Sequence, residues 1–201
     1  MPATAEKSTD LHLSRDSSYK IEKPTHNICA ASLLKKLFLP DDFLSINIYT
    51  VHIMSEHRAN LNWSRGEIGF GYKEYSRDHQ WDFPSNNQSL KASAAPKYLG
   101  SEDCVDPEEA FVASLASCHM LTFLAVASMS GFVVDSYQDN ASGRLAPNEN
   151  KKMVMTVITL RPVIEFSGDK IPTAEELEQL HKKAHHECFL ANSVTTKVVW
   201  E

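Results

Sequence analysis

Residues 110–130 contain no Asp, Glu, Lys or Arg. Such a run is about long enough to cross a bilayer, so any fold of this chain must house a helix without a charged face. Its composition argues against a membrane. Ser114, Ser117, Ser128, Ser130, Thr122 and His119 interrupt the apolar run. The sequence before it, Asp106-Pro107-Glu108-Glu109, supplies a capping Asp, a Pro at the first helical position and first-turn acids. These features predict a buried central helix. A helix apolar on all sides must be surrounded by other elements or by a partner chain.

At 201 residues the chain suits one domain with a sizeable core. A weakly alternating strand is expected at His57–Trp63 and, after Gly66, Gly69 and Gly71, an aromatic strand at Tyr72–Phe83. A loop over Ala92–Asp106 leads into a helix at Pro107–Ser130, which Gly131 ends. Phe132–Leu145 and Lys151–Phe166 read as a hairpin. A capping box, Thr173-Ala-Glu-Glu176, opens a second helix that runs through Leu177, Leu180 and Ala184 toward Cys188. Val194–Trp200 reads as a last strand. Strands, helix, strands, helix, strand is an α+β order.

Residues 1–53 stand apart from this domain of residues 54–201. They hold six basic and six acidic residues, so the net charge of 20 − 26 = −6 resides in the domain. Residues 1–30 read as disordered, with a short helix at Leu33–Phe38 and a strand at Ser45–Ile53 to follow. A mildly acidic chain is a poor partner for nucleic acid or an anionic membrane surface. Met1–Lys23 lacks a signal-peptide core, so a cytoplasmic location is expected, where disulfides are transient and catalytic rather than structural.

There are four cysteines, Cys29, Cys104, Cys118 and Cys188, and no Cys-x-x-Cys. Cys118 lies mid-way along the apolar helix. Cys188 follows Leu177 by eleven residues, about three turns, and so shares the core-facing stripe of the second helix. Both thiols could therefore point inward from facing helices. Taken alone, each reads first as a small buried hydrophobe. A reactive thiol needs a positive partner. Arg77, in Tyr75-Ser-Arg-Asp-His-Gln-Trp81, is the candidate, although by local sequence alone it reads as a solvated strand charge. The run His185-His186-Glu187-Cys188 admits a metal site with Cys118 and His119, or helix-end histidines favoured by the dipole.

Taken together, Asp106-Pro-Glu-Glu-Ala-Phe-Val-Ala-Ser-Leu-Ala-Ser-Cys-His-Met-Leu-Thr-Phe-Leu124, Gly131-Phe-Val-Val and Ala184-His-His-Glu-Cys-Phe-Leu-Ala-Asn-Ser193 resemble the OsmC/Ohr superfamily, the osmotically inducible and organic hydroperoxide resistance proteins. The resemblance covers about Ser55 to Glu201, and Tyr75-Ser-Arg-Asp-His and Ala94-Ala-Pro-Lys-Tyr98 favour an OsmC-like branch. It implies curved antiparallel sheets around two central helices in an intertwined homodimer. It implies a thiol peroxidase for organic hydroperoxides, with Cys118 peroxidatic, Cys188 resolving, and Arg77 and Glu108 in support. No metal or organic cofactor is implied, and the reductant would be a dithiol, of lipoyl type by analogy with the Ohr branch. A non-enzymatic small-molecule binding protein of the stress response is the alternative on the same scaffold. Phe189 stands after Cys188 where many members have Pro. Glu108 and Cys118 are ten residues apart, about 15 Å along a straight helix. That spacing predicts either a broken helix start or a site completed by Glu108 of a second subunit.

Overall fold

The computed structural model describes residues 55–201; the expectations for residues 1–53 lie outside the described residues. Three short strands, β1 (Asn60–Asn62), β2 (His79–Phe83) and β3 (Gln88–Ala92), form an antiparallel sheet in that order. The expected strand at Tyr72–Phe83 is shorter than predicted. Residues 72–78 turn instead, because the Arg77 guanidinium donates to the carbonyls of Tyr72 and Tyr75 (2.7 Å to Tyr75). Those carbonyls are thereby withdrawn from any strand ladder. A 3-10 turn at Pro96–Tyr98 then leads to the long helix.

Helix α1 spans Pro107–Met129 without a break. Its cap is reciprocal: Asp106 Oδ1 accepts from the Glu109 amide at 2.8 Å, and Glu109 Oε2 accepts from the Asp106 amide at 3.2 Å. Ser130 is the C-cap, and Gly131 follows at φ +80°, a conformation costly for any residue with a Cβ. The expected hairpin arms each divide in two, giving β4 (Val133–Asp139), β5 (Ser142–Pro147), β6 (Met153–Leu160) and β7 (Pro162–Ser167). β5 pairs with β6 and β4 with β7, both antiparallel. The break is held by Asp139 Oδ1, which accepts the Arg161 amide at 2.7 Å, and by the Arg161 guanidinium on Ser142 Oγ at 2.9 Å. Helix α2 (Ala174–Glu187) starts on the Thr173–Glu176 capping box and ends with Cys188 as C-cap. β8 (Lys197–Trp200) adds parallel to β6.

Two apolar clusters flank α1. Phe123, Val126 and Ala127 pack with Phe132, Leu180 and Ala184, tying α1 to α2 and the β4–β7 pair. Leu115 packs with Ile158, Leu160 and Val198 on the β5–β6–β8 sheet. A fully buried Phe or Leu contributes about 1.5–3 kcal/mol, so the first cluster fixes where the two helices meet and the second seats α1 on the sheet. α1 is not enclosed by its own chain: only 28% of its most apolar 18-residue stretch is buried, and Leu121 is 60% exposed. The helix is long and apolar enough to cross a membrane by length and composition.

Candidate functional site

Helices α1 and α2 bring Cys118 and Cys188 together. The Cys188 thiol donates to Cys118 Sγ across 2.8 Å. Both sulfurs are free thiols, Cys118 partly exposed and Cys188 buried. Cys188 is placed by two local features. As the C-cap of α2 it keeps its amide on the His185 carbonyl at 3.3 Å, and the Ala191 amide points at its sulfur at 3.5 Å. Burial, with the bond to Cys118, pushes the Cys188 thiol up to about 11. Cys188 therefore keeps its proton, and its sulfur is held against Cys118 Sγ.

Arg77 and Glu108 are not gathered with them within the chain. The Arg77 guanidinium sits over the Tyr75 ring, 4.2 Å from its centroid, and among the described residues bonds only to the Tyr72 and Tyr75 carbonyls. Glu108 is half-buried on an open cleft of about 850 Å³ between α1 and the β5–β6 strands, with Arg144 on the opposite wall. No hydrogen bond or ion pair joins Glu108 to Arg77 among the described residues. The neighbouring Glu109 is committed to the helix cap, which leaves Glu108 the acid free for other work. Of the two outcomes the helix spacing allowed, a broken helix start is excluded, because α1 runs unbroken through both Glu108 and Cys118.

A second cluster lies beside the thiols; the sequence offered its His119 and His185 only as candidate metal ligands, and its His181 and Trp200 not at all. His119, next to Cys118 on α1, is 1% exposed, and its Nε2 lies 3.1 Å from Nδ1 of His181 on α2. The two rings stack with the Trp200 indole of β8, each 5.8 Å away, and His185 tilts against the same indole at 5.8 Å. Trp200 Nε1–H donates to Glu178 Oε2 at 2.9 Å. Burial drives His119 down to about 4, and His181 and His185 nearby push the same way. Burial also lowers His181. Among the described residues, His119 Nδ1 and His185 Nδ1 are buried without a partner. A buried lone pair is cheaper to leave bare than a buried N–H. His119 therefore carries its proton on Nε2 and donates to His181 Nδ1. The available signal was the i, i+4 step from His181 to His185 on the Leu177–Cys188 stripe. Among the described residues no group of three His, Cys, Asp or Glu is placed to hold a metal ion, so the metal reading of Cys118, Cys188 and His185 gains nothing. His186 is exposed and bonds Glu187 Oε1 at 2.8 Å at the helix end.

An α+β fold with a thiol pair held between its two helices defines a cysteine-bearing scaffold of the OsmC/Ohr type. The sequence profile of the OsmC-like proteins matches residues 100–201. An OsmC-like protein of unknown function from Vibrio cholerae is 47% identical, with 74% of this chain and 99% of that one covered and a TM-score of 0.71. The chain belongs to the OsmC-like family. Two more distant structures share the fold. An OsmC-like protein from Mycoplasma pneumoniae is 13% identical (73% and 95% covered, TM-score 0.56). An organic hydroperoxide resistance protein from Elizabethkingia anophelis is 16% identical (73% and 97% covered, TM-score 0.54). No curated protein matches the chain.

Proposed function

We propose that this protein is a thiol peroxidase that reduces organic hydroperoxides to alcohols. The observation that carries the reading is the 2.8 Å approach of the Cys188 thiol to Cys118 Sγ. Cys118, as thiolate, attacks one peroxide oxygen; the O–O bond breaks, the alcohol leaves and Cys118 becomes a sulfenic acid. Cys188 then displaces its hydroxyl to form the disulfide, and an external dithiol restores both thiols. Apolar neighbours support an organic over an inorganic peroxide: Leu121 and Phe189 are 60% and 83% exposed beside the two cysteines. The protein works in the cytoplasm, away from nucleic acid and membrane.

We propose further that the working unit is a homodimer. The uncovered face of α1 and the unbroken helix between Glu108 and Cys118 support this. In the dimer, Glu108 of one subunit orients the Arg77 guanidinium through a bidentate pair, and that arginine supports the Cys118 thiolate of the other active centre.

The test is peptide mapping of the reduced protein after one equivalent of cumene hydroperoxide, with hydrogen peroxide in parallel. A Cys118–Cys188 disulfide should form, faster with the organic peroxide. Both thiols staying reduced would sink the peroxidase and leave small-molecule binding. Subunit mixing tests the composite site. Each of C118S and E108Q is expected to be inactive alone. Mixed heterodimers regain one intact centre only if Glu108 and Cys118 of a centre come from different chains.

A further inference from the structure

The disulfide step proposed above requires Cys188 to lose its proton, and its surroundings make that hard. The sulfur is buried, 1% exposed, and its thiol is pushed up to about 11. At neutral pH only about one molecule in ten thousand would hold a Cys188 thiolate without help. A base inside the protein is needed, and the structure narrows the choice. His119 has been driven to about 4 by burial, which makes it a feeble proton acceptor. His181 has its Nδ1 engaged with His119 and is itself lowered by burial. His186 is exposed and tied to Glu187. Glu178 is occupied by the Trp200 indole and by Lys182 at 3.4 Å.

His185 is left. It lies three residues before Cys188, so the two side chains share a helix face with Cβ atoms about 5–6 Å apart. Its Nδ1 is buried and has no hydrogen-bond partner. That atom is a bare acceptor held one turn from a buried thiol, with the Trp200 ring fixing the imidazole from the β8 side.

We infer that His185 Nδ1 is the proton acceptor for Cys188 in the disulfide-forming step, an inference that rests on the peroxidase reading above. The step balances within the protein. The Cys188 sulfur gives an electron pair to the Cys118 sulfur, the S–S bond forms and the S–OH bond of the sulfenic acid breaks. Cys188 is oxidised and Cys118 reduced to the disulfide level. The Cys188 proton passes to His185 Nδ1 and from there to the departing hydroxide, which leaves as water. The Ala191 amide, 3.5 Å from Cys188 Sγ, steadies the negative charge as it develops. The titratable groups packed with the base are His119 from α1, on which His185 acts, His181 and Glu178 from α2, which meet the same Trp200 indole, and Cys188 at the cap of α2.

The test measures how fast Cys118 sulfenic acid disappears, by trapping it with dimedone at intervals after a pulse of cumene hydroperoxide. Wild type, H185N, H185Q and H186N are compared from pH 7 to pH 9. Loss of a general base costs about a hundredfold or more. H185N and H185Q should therefore accumulate sulfenic acid at pH 7, and their rate should climb about tenfold per pH unit as Cys188 ionises unaided. Wild type and H186N should stay fast and nearly flat. A packing defect would lower the rate without introducing that slope. Two variants at one site guard against a single misfolded protein. Rates and profiles in H185N and H185Q that match wild type would overturn the inference. Diamide separates the two proposals, since it joins a thiol pair without peroxide but still requires Cys188 to give up its proton. Wild type that ignores peroxide yet shows the same His185 dependence with diamide loses the peroxidase and keeps the base.

Discussion

The buried imidazole stack makes stability fall with acid, by an amount that can be worked from one residue. His119 is lowered from 6.5 to about 4, chiefly by burial. A base whose folded pKa is depressed binds fewer protons when folded than when unfolded between those two values. Stability therefore rises with pH through that window and is unaffected above it, and below about pH 4 the His119 contribution is fully lost and falls no further. Between pH 7 and pH 5 the loss from His119 alone is about 2 kcal/mol, from the 1.36 kcal/mol that one pKa unit represents. His181, lowered in the same direction, adds to it. The variant that isolates the effect is H119Q, whose side-chain amide can still donate to His181 Nδ1 but cannot titrate. Urea melts of both proteins at one concentration, at pH 7.0 and pH 5.0, give the comparison. Groups away from the stack titrate alike in both proteins, so the double difference reports His119 together with its coupling to its ring neighbours. Wild type should lose about 2 kcal/mol more than H119Q over this interval. An equal loss in the two proteins would show that the stack is not buried and neutral as described.

Other outcomes follow from single contacts. C188S should leave a Cys118 sulfenic acid that dimedone traps for minutes, whereas C118S should show no oxidation at Cys188. Gly100→Ala would place a Cβ 1.6 Å from the Ala94 carbonyl oxygen, a backbone atom that cannot step aside, so the turn before α1 must shift. A loss of about 3 kcal/mol in a urea melt is expected. Thr173→Ala removes the side-chain acceptor for the Glu176 amide at 3.2 Å and should cost about 1 kcal/mol, with amide exchange quickened first in the opening turn of α2.

The helices and their caps were legible because the signals are local. Asp106 with Glu109, and Thr173 with Glu176, declare a helix start within four residues of sequence, and both boxes form. The two inward thiols were legible through the 3.6-residue period. The strands were harder. Residues 72–78 carry aromatics in a strand-like run, but Arg77 takes the carbonyls of Tyr72 and Tyr75 and bends the segment. The division of the hairpin at Asp139 and Arg161 depends on a side chain capping an amide twenty-two residues away, which no local window contains. The histidine stack was missed for the same reason. Its members come from α1, α2 and β8, and each looks ordinary until Trp200 lies against all three.

The supporting pair differs in kind, because neither sequence nor single chain assembles it. A straight helix carries Glu108 about 15 Å from Cys118 along its axis, and α1 has no kink to shorten that path. A glutamate and an arginine joined end to end cannot span the gap from the same helix while the guanidinium is held on the Tyr72 and Tyr75 carbonyls. The same helix leaves Leu121 60% exposed, and only 28% of its most apolar stretch is fully buried. One event, the docking of a second copy against α1, would answer both facts at once by covering the helix and supplying the missing acid. The two requirements are thus linked. A change that blocks docking on α1, such as Leu121→Lys at an exposed apolar position, should lower stability and peroxide reactivity together in one concentration-dependent transition. Reactivity that survives in a demonstrated monomer would mean that Cys118 and Cys188, with His185 behind them, are the whole of the chemistry.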